Sequence, residues 1–285
     1  MDQIQHKFIE VQGLELHVAE IGSGPDVVVF MHGFPEIWYS WRHQMVAMAG
    51  AGFRTLAPDF RGYGLSDPPL EPEKASFGDL IKDLGALLDA LGIDKVFLVA
   101  KDFGAFPAYL FSLLHQERVR GVVTFNLPHR SPSHPIQYHE HLPEGFYISR
   151  WKEPGCAEAD FGRLDAKTVV RNIYILFSRS EIPIAAENQE IMDIVHPSTP
   201  LPSWALKEDL GITDFIVKVP VLLVMGEKDY VLKFPGMEEY IRSGKVREFV
   251  PQLEIVFSPD GTHFIQEQSP DKVNQLILGF LKKYI

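Results

Sequence analysis

The chain has 285 residues, 46% of them hydrophobic, so it is long enough for one sizeable core or a core domain that carries an insertion. Its formal net charge of −11 argues against a nucleic acid or an anionic membrane surface as the main partner. The single cysteine, Cys156, cannot form an internal disulfide, which favours a reducing compartment. The first residues lack an apolar core of signal-peptide length and the apolar runs are strand-length, so we predict a cytoplasmic protein that does not associate with a membrane.

The N-terminal segment alternates in polarity on both sides of a Gln12-Gly13 turn, over residues 6–11 and 14–18, which predicts an antiparallel hairpin. Beyond it, short β-rich runs alternate with helix-length segments, a pattern typical of a parallel sheet with helices on both faces. Residues 80–91 carry apolar side chains at helical spacing, and Gly92 is expected to end that helix. The strands predicted in this half of the chain are 26–31, 53–57, 95–100 and 118–125.

Between residues 127 and 215 the alternation gives way to a Pro- and His-rich connector followed by helical patterns, which indicates an inserted helical lid. Strand and helix alternation then returns to the end of the chain. We therefore predict a core domain formed by residues 1–126 and 216–285, with a lid over 127–215. The helices predicted in the lid are 157–161, 166–178 and 186–195, and the later elements are strands 219–225 and 253–257 and helices 236–242 and 270–284.

Asp102 lies where a predicted strand feeds a sharp turn and then a helix, with small residues at Ala100 and Gly104. This is the pattern of a nucleophile elbow, whose strained turn and close helix exclude large neighbours. A carboxylate nucleophile forms an ester with an electrophilic alkyl carbon, whereas its attack on an acyl carbon would give only a labile anhydride. An Asp at a strand end is also a common helix N-cap, so this segment alone leaves both interpretations open.

The segment His32-Gly33-Phe34-Pro35 follows the third predicted strand, where an α/β-hydrolase places a backbone donor for an oxyanion. We therefore name the N–H groups of Phe34 and Phe103 as the candidate oxyanion hole. A plain strand-ending turn is the alternative for this segment. Its position upstream of the predicted elbow favours the functional interpretation.

Two further polar residues complete a candidate catalytic triad. Asp229 comes just after the buried strand predicted at 219–225, and His263 lies on the loop before the last helix. Each alone has a structural explanation as a turn residue. The chain order Asp102, Asp229, His263 matches the order of nucleophile, acid and base in the α/β-hydrolase fold, which favours catalysis.

A group of four histidines precedes the lid helices and raises the question of a metal site. They lie in a Pro-rich connector, whereas metal sites need fixed ligand spacing on rigid elements and supporting carboxylates. We predict no metal and no cofactor. The four are His129, His134, His139 and His141.

Taken together, the motifs resemble those of soluble epoxide hydrolases, especially the plant type. The resemblance implies an α/β-hydrolase fold, and a small apolar epoxide and water as substrates. In that family the lid presents two tyrosines to the epoxide oxygen, and Tyr147, shortly before Glu153-Pro154-Gly155, matches the first. Tyr147 could instead only anchor the lid. The segments that carry the resemblance are 32–35, 59–66, 101–104, 226–229 and 261–264, together with 146–155.

Two features depart from the family. Lys101 and Phe103 stand where the family has His and Trp, a change expected to be mild because the oxyanion donor after the nucleophile is a backbone N–H. The second lid tyrosine normally follows a further helical stretch after a Leu-Pro-x-Trp motif, but here residues 201–204 are followed within about ten residues by 211–214. A lid segment and its tyrosine are thus expected to be missing. Tyr174, the only other lid tyrosine after Tyr147, is expected to pack on a helix face.

The predicted reaction converts an epoxide and water to a vicinal diol through an alkyl ester on Asp102. Asp229 orients His263, which activates the water, and Tyr147 donates to the epoxide oxygen. We expect a monomer or homodimer. The candidate substrate-binding residues are Phe34, Pro35, Trp38, Phe103 and Tyr147.

Two alternatives remain open. The first is an impaired or non-catalytic small-molecule-binding member of the fold, because the second lid tyrosine is missing. The second is a haloalkane or haloacid dehalogenase, which also uses an elbow Asp, although Phe103 has no indole N–H to bind a halide. A serine esterase is disfavoured because the sequence contains no Gly-x-Ser-x-Gly.

Overall fold

A computed structural model describes residues 3–69, 76–129, 145–151, 155–177, 181–186, 189–194 and 215–285, apart from the side chains at 171, 174 and 175. Its strands are β1 Gln5–Val11, β2 Leu14–Ile21, β3 Val27–Met31, β4 Arg54–Pro58, β5 Val96–Lys101, β6 Val119–Phe125, β7 Val221–Gly226 and β8 Leu253–Ser258. Over these described residues the strands form one sheet in the order β1-β2-β4-β3-β5-β6-β7-β8. The β1–β2 and β2–β4 pairs are antiparallel and the others are parallel. The predicted α/β class with a mostly parallel sheet is confirmed.

The helices cover both faces of the sheet, because the central strands are apolar on both sides. In β3, Val29 and Met31 join the core that contains α2 and α3, whereas Val28 and Phe30 join the core that contains α1 and α9. Among the described residues, no helix is both long and apolar enough to cross a membrane. The helices are α1 Arg42–Gly50, α2 Phe77–Ala90, α3 Ala105–Leu114, α4 Tyr147–Trp151, α5 Cys156–Phe161, α6 Ala166–Phe177, α7 Met237–Arg242, α8 Ile265–Gln268 and α9 Pro270–Leu281.

The start of the fold follows the predicted pattern. β1 and β2 pair in register from Gln5 with Glu20 to Val11 with Leu14, which confirms the hairpin. α2 begins three residues before the predicted start, because Ser76 accepts a hydrogen bond from the Asp79 N–H and the Asp79 carboxylate accepts one from the Ser76 N–H.

The lid elements are only partly as predicted. α5 and α6 confirm two of the three lid helices. The third, expected over 186–195, is wrong: of its described residues only Ile191–Asp193 are helical, as a single 3-10 turn. A capping bond sets the start of this turn, because the Asp193 carboxylate accepts a hydrogen bond from the Glu190 N–H. The division into core and lid stays a prediction, and residues 201–204 and 211–214 lie outside the described ranges.

Candidate active site

Asp102 occupies a strained turn directly after β5. Its φ of +49° lies in the left-handed region, which side chains other than glycine rarely adopt, and a 3-10 turn over Asp102–Gly104 then leads into α3. A Cβ added at Gly104 would lie 2.4 Å from the His32 carbonyl oxygen, so the close approach to the end of β3 requires glycine. The structure therefore holds the candidate nucleophile in elbow geometry.

Both candidate oxyanion donors face the Asp102 carboxylate. The Phe34 N–H donates to Asp102 Oδ1 at 3.0 Å, and the Phe103 N–H also donates to this carboxylate. Gly33 allows the approach, because a Cβ there would lie 2.5 Å from the Asp102 Cβ. The carboxylate is thus held by two fixed backbone dipoles.

The acid and base loops meet at the ends of β7 and β8. Lys228 N–H donates to the Gly261 carbonyl oxygen at 2.9 Å, which ties the two loops together. His263 Nδ1 lies 3.1 Å from Asp229 Oδ1, and His263 Nε2 lies 3.2 Å from Asp102 Oδ2. Asp102, Asp229 and His263, which are far apart in sequence, are therefore joined by hydrogen bonds in one buried site.

Burial and charge act in opposite directions on this group. Burial lowers the pKa of His263, but the Asp229 charge, opposed by Lys101, and the bonds to Asp102 and Asp229 raise that pKa to about 9. Burial raises the pKa of Asp102, but His263, Lys101 and the Phe103 N–H outweigh it, so the pKa lies below its usual value. The resting site therefore holds an ionised Asp102 beside a protonated His263 at neutral pH.

Sequence reasoning missed a buried ion pair next to the nucleophile. Lys101 Nζ lies 2.9 Å from Glu36 Oε2, and both side chains are fully buried. Gln266 Nε2 donates to the other Glu36 oxygen at 2.8 Å, and Lys101 Nζ also lies 4.1 Å from the centre of the Phe264 ring. A lysine at the end of an otherwise apolar strand was the available signal, since such a charge needs a partner.

Asn126 is a second residue that the sequence did not single out. It follows β6 with a φ of +74°, and its Nδ2 donates to Asp229 Oδ2 at 2.5 Å. This bond orients the acid so that its other oxygen lies nearest His263. Only its place at a strand end, where the triad residues also lie, could have indicated it.

Tyr147 lies in the same buried region, at the start of α4. Its hydroxyl oxygen lies 3.2 Å from that of Tyr230, the residue after Asp229, which sequence reasoning did not consider. Burial chiefly raises the pKa of each phenol above its usual value, and the Asp102 and Asp229 charges add to the effect. Both hydroxyls therefore keep their protons and can act as hydrogen-bond donors.

The rings of three other candidate substrate-binding residues contact side chains outside the triad. The Phe34 ring lies 6.5 Å from Tyr63, and the Phe103 ring 6.0 Å from Phe106. Trp38 packs edge-on against His6 of β1 at 4.9 Å, on the side of the hairpin. These contacts involve none of the triad, so the assignment of Phe34, Pro35, Trp38 and Phe103 to substrate binding stays a prediction.

Of the four histidines before the lid helices, the structure describes only His129, and the side chain of Tyr174 is not described either. His129 Nε2 bonds to the Phe215 carbonyl oxygen, and among the described residues no group of three or more candidate ligands could hold a metal. His134, His139 and His141 lie outside the described ranges, as does the side chain of Tyr174. The expectation that a lid segment is missing also falls on residues outside them.

Comparisons with known proteins give a consistent result over the whole chain. The sequence profile of the α/β-hydrolase fold matches residues 26–270. The chain is 36% identical to "Epoxide hydrolase 2" of Siraitia grosvenorii, with 100% of both chains covered. An epoxide hydrolase structure from Vigna radiata matches with a TM-score of 0.87 and 34% identity, over 100% of this chain and 99% of that one. Potato epoxide hydrolase I matches with a TM-score of 0.85 and 32% identity, over 99% of this chain and 100% of that one.

The alignment with the Siraitia protein also bears on length. It spans 320 positions, more than the 285 residues of this chain, although both proteins are covered completely. The relative therefore carries residues that this chain lacks.

Proposed function

Since the chain belongs to the epoxide hydrolase family of the α/β-hydrolase fold, we propose that it converts a small apolar epoxide and water to a vicinal diol. One observation carries the proposal: Asp102 sits in a left-handed turn with Oδ1 on the Phe34 N–H at 3.0 Å and Oδ2 3.2 Å from His263 Nε2. A carboxylate held in this way is suited to attack an alkyl carbon and to release the resulting ester.

In the first step Asp102 Oδ2 attacks an epoxide carbon, and the bond between that carbon and the ring oxygen breaks with its electron pair on oxygen. Tyr147 donates to this oxygen and transfers its proton as the alkoxide forms. The phenolate then takes the proton of the His263 imidazolium. The site is left with a neutral alkyl ester on Asp102, a neutral imidazole and an intact phenol.

In the second step His263 removes a proton from water, and the hydroxide adds to the Asp102 carboxyl carbon. The Phe34 and Phe103 N–H groups stabilise the tetrahedral oxyanion, and Asp229 stabilises the imidazolium. Collapse of the intermediate expels the diol oxygen, which takes the proton of the new carboxyl group. The cycle ends with Asp102 ionised and His263 protonated, as at the start.

The charges around His263 suit this order of events. In the resting site the bond to ionised Asp102 contributes to a pKa of about 9 for His263, so the imidazole is a poor base at neutral pH. Ester formation removes the Asp102 charge and with it part of what raises the pKa. The base thus becomes available after the ester that it hydrolyses has formed.

The buried phenol of Tyr147, on which the Asp102 charge acts, favours an epoxide over a haloalkane as the substrate. An epoxide oxygen leaves as an alkoxide that needs a proton, whereas a halide leaves without one. Tyr147 is buried and protonated, and it bonds to a second buried phenol, Tyr230. The proposal extends to a cytoplasmic monomer or homodimer, and the free Cys156 supports a reducing compartment.

The experiment measures diol formation from a simple aryl epoxide by the purified chain, beside Asp102→Asn and His263→Gln. We expect turnover to be lost in Asp102→Asn, and an alkyl adduct on Asp102 to accumulate in His263→Gln, as detected by mass spectrometry. A single turnover in ¹⁸O-labelled water should place the label in the Asp102 carboxylate rather than in the diol, because water attacks the carboxyl carbon.

His129→Gln is the matched control, since it alters a buried histidine outside the triad and should keep turnover. Absence of diol and adduct with the folded parent chain would overturn the proposal and favour a ligand-binding member of the fold. Halide release from a haloalkane without epoxide turnover would favour a dehalogenase.

A further inference from the structure

Tyr230 lies in the segment predicted to belong to the core domain, directly after the candidate acid Asp229, and the mechanism above does not use it. Its side chain is 2% exposed. The ring stacks on Phe177 at 5.0 Å and an angle of 24°, and its centre lies 5.0 Å from the centre of the His263 ring. These contacts fix the phenol against the imidazole that bonds to the nucleophile.

The Tyr147 and Tyr230 hydroxyls converge on one point. Their oxygens lie 3.2 Å apart, and within the described part of the chain neither makes another hydrogen bond. Two phenols contain two protons, but the bond between them uses only one. The second proton therefore has no acceptor among the described residues, although a buried O–H group needs one. An oxygen atom placed next to both hydroxyls would supply that acceptor.

The charges in the site favour a ligand oxygen that carries little negative charge before reaction. The Asp102 and Asp229 carboxylates act on both phenols, and together with burial they keep both O–H groups protonated. An anionic ligand would meet the same two carboxylates. A neutral ether oxygen avoids this repulsion, and the negative charge that it gains as its carbon–oxygen bond breaks is matched by the negative charge lost from Asp102.

The two phenols come from different elements of the chain. Tyr147 is in the lid helix α4, and Tyr230 begins a 3-10 turn after β7 in which the Val231 N–H donates to Asp229 Oδ1 at 3.0 Å. The triad acid and the phenol thus share one short, buried segment. The turn after β7 thus supplies a second phenol in contact with the one on α4.

We infer that Tyr230 is a catalytic residue that donates, together with Tyr147, a hydrogen bond to the epoxide oxygen during ester formation. The inference rests on the proposed function. When the epoxide binds, the bond between the two hydroxyls is replaced by two bonds to the ring oxygen. Tyr230 takes part only in the opening of the ring, because the hydrolysis of the ester needs no proton on that oxygen.

The test compares Tyr230→Phe with the parent in the His263→Gln background, where the ester accumulates, using rapid quench and mass spectrometry. We expect ester formation to slow on the order of 100-fold, the effect of losing one preorganised donor to a developing oxyanion. Tyr147→Phe should have a similar effect, and the double variant should form almost no ester. With His263 present, the ester should be hydrolysed at the parent rate in Tyr230→Phe.

Tyr240→Phe is the matched control, because it removes a buried phenol hydroxyl that donates to the His129 carbonyl oxygen outside the site. It should leave the rate of ester formation unchanged. A chain with 3-fluorotyrosine at position 230 keeps the hydroxyl and makes it more acidic, so it should form the ester at least as fast as the parent. This variant separates loss of the proton from a change in packing.

Parent-like ester formation in Tyr230→Phe would overturn the inference while leaving the proposed function intact. Equal slowing of ester formation and ester hydrolysis would also overturn it, since that pattern indicates a packing role. Failure of the parent chain to form any ester would instead overturn the proposed function itself.

Discussion

His263 should make the stability of the protein depend on pH in a range where few other groups titrate. Its pKa is raised from 6.5 to about 9, because the Asp229 charge and the bonds to Asp102 and Asp229 outweigh burial and the Lys101 charge. The folded protein therefore holds a proton that the unfolded chain releases above pH 6.5. The stabilisation is complete below pH 6.5 and is lost as the pH rises through about 9.

The size of the effect follows from the same two pKa values. Each pKa unit corresponds to about 1.4 kcal/mol, so a rise from 6.5 to about 9 contributes about 3 kcal/mol to the free energy of unfolding. In His263→Gln this contribution is absent at every pH. The difference in unfolding free energy between the parent and His263→Gln should therefore fall by about 3 kcal/mol between pH 6 and pH 9.5.

Urea denaturation of both chains at half-unit pH intervals measures this difference directly. His129→Gln is the matched control, because burial outweighs the bond to the Phe215 carbonyl and lowers the pKa of His129 to about 4. The difference in unfolding free energy between the parent and His129→Gln should not change above pH 6.5. The parent should lose stability relative to His129→Gln only as the pH falls from 6.5 towards 4. If the difference in unfolding free energy between the parent and His263→Gln does not change between pH 6.5 and 9, His263 is not protonated in the resting site. The proposed proton transfers from and to His263 would then be refuted.

Other changes in the site have distinct expected outcomes. Asp229→Asn should lower diol turnover by about 10³- to 10⁴-fold while the ester still forms, as single-turnover mass spectrometry can check; equal loss of ester formation would contradict its role as orienting acid. Lys101→Met should lower the free energy of unfolding by about 3–5 kcal/mol in urea titrations, because it leaves the buried Glu36 carboxyl without its cation, and Glu36→Met added to it should restore most of that stability. Gly33→Ala should slow ester formation about 100-fold, since the new Cβ would lie 2.5 Å from the Cβ of the nucleophile, whereas Gly279→Ala, with open space around it, should leave that rate unchanged.

Much of the fold could be predicted because the central strands carry their burial in the sequence itself. β3 and β5 are apolar along their whole length and are buried on both faces, as parallel strands require. Boundaries depend on local bonds that apolar patterns do not reveal. The Ser76 cap starts α2 early, and the bond from the Glu190 N–H to the Asp193 carboxylate starts the 3-10 turn at Ile191.

The hydrogen-bonded triad residues were recognisable because they all follow strands whose carboxyl ends meet at one edge of the sheet. That rule predicts that the three residues lie close together, and it requires no knowledge of side-chain contacts. The rule does not say which side chains bond to one another. Asn126 reaches Asp229 across 103 residues, and Lys101 pairs with Glu36 across 65, so only the packed structure reveals these contacts.

Tyr230 illustrates how the packed structure can add a candidate that a family resemblance does not contain. The resemblance places both oxygen donors in the lid, yet chemistry requires only that two hydroxyls reach one oxygen atom. A donor on the turn after β7 is fixed by the same buried segment that fixes the acid, and rigid elements position catalytic groups more accurately than loops do. With one donor on the core, the lid needs to supply only Tyr147. Ring opening then depends on the contact between the two phenols, so movement of the lid that separates their hydroxyls should stop ester formation while leaving the triad intact.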